Sequence, residues 1–87
     1  MYKLYKEHWW LIKGVTNMHE TEIVDFETIE EAQEQMKHDY MILSSGNKSS
    51  LLLRMSFIII GYDKNGFADR IIQYGILKDI KEVEARE

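Results

Sequence analysis

The chain has no cysteine and no proline, and no wholly apolar run longer than that of Phe57 to Ile60. Without cysteine it forms neither a disulfide framework nor a thiolate, and a reducing compartment, the cytoplasm, is the natural expectation. Its apolar runs fall far short of the ~18 residues that a membrane span requires. Met1 to Lys6 alternates charged and aromatic residues, which does not read as a secretory leader. The missing proline, the three alanines and the abundance of Ile, Lys and Glu hint at an A+T-rich genome, such as that of a bacterium, its phage or a mobile element. Eighty-seven residues make one domain, 1–87, and an apolar fraction of 45% is too high for a disordered chain.

Positive charge is scarce as well. Net charge is −4, and residues 20 to 39 hold eight acids (Glu20, Glu22, Asp25, Glu27, Glu30, Glu31, Glu34, Asp39) against Lys37 alone. Phosphate-backbone binding needs clustered Lys and Arg, so this balance argues against a general nucleic-acid binder. An acidic stripe can face a partner, but a merely solvated surface is the favoured reading.

Tyr2 to Ile12 alternates as a strand. The row Tyr2, Leu4, Lys6, His8, Trp10 and Ile12 is the more apolar and is expected to face the core, with Tyr5 and Trp9 on the other side. Gly14 to His19 reads as loop and Thr21 to Phe26 as the return strand, an antiparallel hairpin with a loop of about 5 to 7 residues. Thr28 and Glu31 then form a capping box. Apolar residues recur at Ile29, Ala32, Met36, Tyr40 and Leu43, which predicts a helix over 28–43 stopped by Ser44, Ser45 and Gly46.

Leu51 to Leu77 reads as one long hairpin that supplies most of the core. Leu51, Leu53, Met55, Phe57 and Ile59 make an unbroken apolar row, and Asp63-Lys64-Asn65-Gly66 is a strong turn. A four-residue turn without a bulge pairs Tyr62 with Phe67 and sets Ile72, Tyr74 and Ile76 beside Phe57 and Ile59. A bulge at Gly66 would shift the register by one and swap every side chain, so the unbulged pairing is expected. The fold predicted is α+β: a four-stranded antiparallel sheet in the order β-β-α-β-β, one helix packed on one face, and a short C-terminal helical tail over 78–87.

Reactive chemistry is hard to find. His8, His19 and His38 lack metal-ligand spacing, although His8 and His19 can approach across the first hairpin. Asp25 and Glu27 read as structural neighbours of strand and cap. Gly61, Gly66 and Gly75 make no phosphate loop, and no serine sits in a nucleophile elbow. The expectation is therefore no enzyme, with no catalytic, cofactor or metal site. Strand-borne aromatics can stack on unpaired bases, with Arg54, Arg70, Lys48 and Lys64 supplying charge, which gives a single-stranded nucleic-acid binder as the second reading. A bacterial housekeeping protein is a third.

The preferred reading is a small module that binds another protein, for example an accessory or inhibitory factor of a phage or mobile element acting against a host defence protein. More apolar strand is present than one helix can cover. The expected interface residues are Trp9, Tyr5, Ile58, Ile60, Tyr62, Phe67, Glu30 and Glu34, and a homodimer through the sheet is an economical way to hide the excess.

The opening Met1-Tyr2-Lys3-Leu4, the pair Trp9-Trp10 followed by two large apolar residues, and Gly14 resemble a small bacterial domain-of-unknown-function family, numbered 1033 among such domains. The acidic helix after the second strand is similar too, and the family's Leu-rich C-terminal segment resembles Ile71-Ile72-Gln73-Tyr74-Gly75-Ile76-Leu77. The likeness covers both ends of the chain and leaves Ser44 to Asp69 outside it. Relative to that family the chain is shorter between Lys6 and Trp9, where only Glu7 and His8 stand, and it lacks the C-terminal cysteines associated with the family. The family carries no assigned activity, so the resemblance implies a small bacterial protein and no particular function.

Overall fold

Lys13 and Gly14 set the first half of the fold. Both hold positive φ, 51° and 79°, the pair of left-handed positions that closes a two-residue hairpin. They join β1 (Tyr2–Ile12) to β2 (Val15–Phe26). Ile12 stands opposite Val15 and Tyr2 opposite Phe26. The expected loop of Gly14 to His19 is therefore mostly strand. Its Thr16, Asn17 and His19 resemble loop residues because this part of β2 is an exposed sheet edge. Asn17 is the residue left over where the register slips between Trp10 and Leu11.

The computed structural model describes residues 1–46 and 48–78. α1 (Ile29–Leu43) begins at the Thr28 cap, whose hydroxyl oxygen accepts from the Glu31 amide at 3.2 Å. The same hydroxyl donates to the Glu31 carboxylate at 2.9 Å, so the box closes through the side chains. α1 ends with the Ser44 amide on the Tyr40 carbonyl at 2.9 Å, and Gly46 follows at a φ of 93°.

The expectation of four strands is corrected to five. The long strand expected from Leu51 is two, β3 (Lys48–Leu52) and β4 (Ser56–Tyr62), followed by β5 (Ala68–Lys78). The chain reverses at Arg54 and Met55, where the Leu53 amide donates to the Ser56 carbonyl at 2.8 Å. This turn has no Gly, Pro or Asn and no residue at positive φ, so nothing in its composition marks it. The apolar row breaks there: Leu51 and Leu53 are 55% and 54% exposed, while Phe57 and Ile59 are buried. The Met55 carbonyl accepts from the Ile76 amide at 2.9 Å, which ties the turn to β5.

The five strands form one antiparallel sheet in the order β2-β1-β5-β4-β3, with β5 in the centre. The turn between β4 and β5 also differs from expectation. The Asp63 amide donates to the Phe67 carbonyl at 2.8 Å, and Gly66, at a φ of 85°, is the bulge that the expected pairing lacked. The Asp63 carboxylate accepts from the amides of Asn65 and Phe67 at 2.8 and 3.0 Å, fixing that turn. Alone, this bulge would turn β5 over. A second offset follows at once: Tyr62 pairs with Ala68 and Gly61 with Arg70, leaving Asp69 as the extra residue. The two offsets cancel, and the core row of β5 faces inward after all, two residues away from its expected partners. Phe57 pairs with Tyr74 and Ile59 with Ile72. Two side chains crowd Gly61 at the second bulge, since a Cβ there would meet Asp69 Oδ1 at 3.2 Å and Arg70 Cβ at 3.5 Å.

α1 packs across one face of the sheet and touches β1, β2, β4 and β5. The core between them is Leu4, Ala32, Met36, Phe57, Ile59, Ile72, Tyr74 and Ile76. Phe57 stacks on Tyr74 at 4.3 Å and meets the edge of Tyr40 at 5.3 Å. Burial of each large member contributes roughly 1.5–3 kcal/mol. The helical tail expected over 78–87 begins at Lys78, which is the last residue of β5; residues 79–87 lie outside the described residues.

Candidate interaction surface

A strand sends alternate side chains to opposite faces of its sheet, and α1 covers only one. The other face is read from the pairings in four cross-strand rows. His19, Trp9, Ile71 and Ile60 form one; Thr21, Glu7, Gln73, Ile58 and Leu51 the next; then Ile23, Tyr5, Gly75 and Ser56; and last Asp25, Lys3 and Leu77. Among the described residues no helix or strand lies over this face. Ile23 and Leu77 are 52% and 60% exposed. Trp9, Tyr5, Ile58, Ile60 and Ile71 are half-buried, sheltered by their neighbours within the sheet. The Trp9 ring lies parallel to His19 at 4.6 Å, and Lys3 pairs with Asp25 at 2.8 Å. Gly75 leaves a hollow of about 290 Å³ in the middle of the face, walled by Tyr5, Glu7, Gln73 and Leu77.

Of the residues expected to form an interface, Trp9, Tyr5, Ile58 and Ile60 belong to rows of this face, whereas Tyr62 pairs with Ala68 beyond the second bulge, outside those rows. Phe67 sits at the β4–β5 turn, 49% exposed, with its ring edge beside Gly14. Glu30 and Glu34 are exposed on α1, in the opposite layer, so they cannot share a flat interface with the aromatic residues. Ile71, Gly75 and Leu77 were not anticipated, because their neighbourhood depends on β1 pairing with β5, and Leu51 was not, because it comes beside Ile58 only through the reversal at Arg54 and Met55. A glycine inside a run of strand formers was the available signal at Gly75.

The helix side carries the polar groups. Near the C-terminal end of α1, residues including Lys6, His8, Glu20, Glu22, Arg70 and Tyr74 surround a cleft of about 360 Å³. Arg70 Nε donates to His8 Nε2, and the imidazole stacks on Trp10 at 3.7 Å. Burial, and then the positive Arg70 beside it, push the His8 pKa down to about 4, so the ring is neutral at pH 7. Asp39 accepts from Tyr74 Oη at 3.0 Å, Gln35 Nε2 at 2.8 Å and Lys6 Nζ at 3.3 Å. Burial alone would raise the Asp39 pKa, but these three donors outweigh it and hold the carboxyl below its ordinary value. Burial, and then the Asp39 carboxylate, push the Tyr74 phenol upward. These contacts fasten α1 to the sheet, and the acceptor nitrogen of His8 is already occupied.

The other candidate groups are dispersed. His8 and His19 lie on opposite faces, the first opposite Glu20 and the second opposite Trp9. Asp25 is taken by Lys3, and among the described residues no three His, Asp or Glu side chains are grouped to hold a metal ion. Lys48 donates to the Leu43 carbonyl at 2.7 Å, Arg70 is held by His8, and Arg54 and Lys64 sit in turns at opposite ends of β4. Among the described residues no helix is long and apolar enough to cross a membrane. Comparison with known proteins finds no family model that matches the chain, no similar curated protein and no similar solved structure. The likeness of the chain's two ends to the numbered family thus stands on their own residues alone.

Proposed function

We propose that the protein is a non-enzymatic protein-binding module, an accessory or inhibitory factor, whose working surface is the open face of the sheet. The observation that carries this reading is the group of Trp9, Tyr5, Ile58, Ile60 and Ile71, spread over three adjacent rows, with no second layer over it among the described residues. Contiguous apolar surface of this kind marks interaction sites, and Trp and Tyr are the side chains that anchor them. Five strands about 4.8 Å apart and some 26 Å of β1 give a footprint of roughly 600 Å² before corrugation. That approaches the ~800 Å² each partner contributes to a standard interface. The same face holds little positive charge beyond Lys3, which favours a protein over a nucleic acid as the occupant.

The test places a photo-crosslinking phenylalanine analogue at Ile58, on the open face, or at Met41, 69% exposed on α1. Illumination in the cells that express the protein should give protein adducts from position 58 and not from position 41. Adducts to nucleic acid alone, equal adducts from both positions, or none from either would refute the reading.

A further inference from the structure

The hollow at Gly75 has no cause within the fold described. Gly75 has no left-handed backbone angle, and a Cβ built on it would meet nothing within 4 Å. Gly61, on the neighbouring strand, is different: there a side chain would press on Asp69 and Arg70. A glycine in a strand interior weakens the strand and leaves nothing to pack, and it commonly marks a place where another chain comes close. Gly75 occupies the central strand of the open face, beside Tyr5 of β1 and the small Ser56 of β4.

We propose that a second copy of this chain covers the open face, with its Tyr5 seated in the Gly75 hollow. The inference rests on the open face being a protein-binding surface and names its occupant. A two-fold axis along the seam between β1 and β5 lays β1 of one copy over β5 of the other, the aligned arrangement of packed sheets. The β1–β5 pairing then fixes what meets what. Tyr5 faces Gly75 of the second copy, Trp9 faces its Ile71, and Glu7 faces its Gln73. The largest side chain of that group meets an apolar one, the ring next to the hollow meets the hollow, and a carboxylate meets an amide donor. Each contact occurs twice.

Charge is distributed to suit this arrangement. Lys3, Glu7 and Asp25 are the charged members of the rows, so the face is close to neutral. Glu20, Glu22, Glu30, Glu31 and Glu34 lie on the helix side. Joining the open faces sets the two acidic layers outermost, roughly 30 Å apart with sheets about 10 Å from each other, against a Debye length near 8 Å. Two chains of net charge −4 can therefore associate without bringing their acidic layers together.

The experiment is sedimentation velocity of the full chain and of Gly75→Val over a concentration series, with thermal unfolding of each. The wild type should sediment as a dimer. Gly75→Val should fold at least as well, since its side chain enters open space, yet associate about 100-fold more weakly, the loss a blocked central anchor gives. Ile58→Asp, a second variant on the same face, should also disperse the dimer. A dimer that survives both substitutions overturns the proposal. So does a wild type that stays monomeric to about 1 mM, the range of the weakest specific contacts. Acrylamide quenching of Trp9 in a Trp10→Phe background then separates the two levels of the argument. A monomer with Trp9 freely quenched removes the second copy and leaves the face open for a different protein. A monomer with Trp9 shielded means that residues 79–87 cover the face, and both readings fail.

Discussion

Tyr74→Phe isolates one hydrogen bond in the contact between α1 and the sheet. The ring keeps its place against Phe57, and only the hydroxyl that donates to Asp39 at 3.0 Å is lost. A bond to a charged acceptor is worth roughly 1.5–3 kcal/mol where the acceptor is left without substitutes. Asp39 retains Gln35 at 2.8 Å and Lys6 at 3.3 Å, and its side chain is 17% exposed, so water can replace the phenol. The loss should therefore fall at or just below the lower limit of that range, about 1–1.5 kcal/mol, or about 5–10 °C in Tm for a domain of this size. Urea unfolding at pH 7, with both proteins at one fixed concentration, measures it. The pH dependence supplies a second check. Asp39 has a folded pKa below its ordinary 3.8, so its contribution is complete above that value and is lost as pH falls through the folded one. Removing the Tyr74 donor raises the folded pKa, and the gap between wild type and variant should narrow below pH 3.8. A loss under about 0.5 kcal/mol at pH 7, or a gap unchanged into acid, would refute the assignment of Asp39 as the charged acceptor.

Three further outcomes are expected. Phe57→Ala removes the largest fully buried side chain and should cost about 3–5 kcal/mol, enough to abolish or sharply broaden the thermal transition of a small domain. His8→Gln should flatten the stability profile in mild acid: the folded pKa of about 4 lies below the ordinary 6.5, so stability is lost as pH falls from 6.5 towards 4 in the wild type only. Thr28→Ala deletes the α1 cap and should cost about 1 kcal/mol in denaturant unfolding, while Thr28→Ser should leave it unchanged.

What could be read from the residues was whatever depended on near neighbours. Thr28 to Leu43 announced its helix through a cap and a stripe, both local, and the facing of Leu4, Phe57 and Ile59 followed from strand alternation. The reversal at Arg54 and Met55 was hidden because it uses ordinary backbone angles and no turn residue, inside a run that alternates as a strand should. The order of strands was hidden for another reason. β1 and β5 are separated by most of the chain, and no residue pattern near either strand says which edges will pair. The open face inherits that difficulty. Trp9 and Ile58 could be named from their rows, but the juxtaposition of Tyr5 with Gly75 exists only once β5 sits between β1 and β4.

Asp69 has a consequence for how such a chain can change over generations. It is the unpaired residue of its bulge, flanked by Ala68 on Tyr62 and Arg70 on Gly61, so excising it leaves both of those pairings intact and merely straightens the ribbon. Excising Gln73, four positions on, would instead reverse the orientation of Tyr74 and Ile76 and evert the interior. Indels among descendants of this sequence should accordingly accumulate at Asp69 and at Asn17, its counterpart in β2, and be purged from the stretches between them.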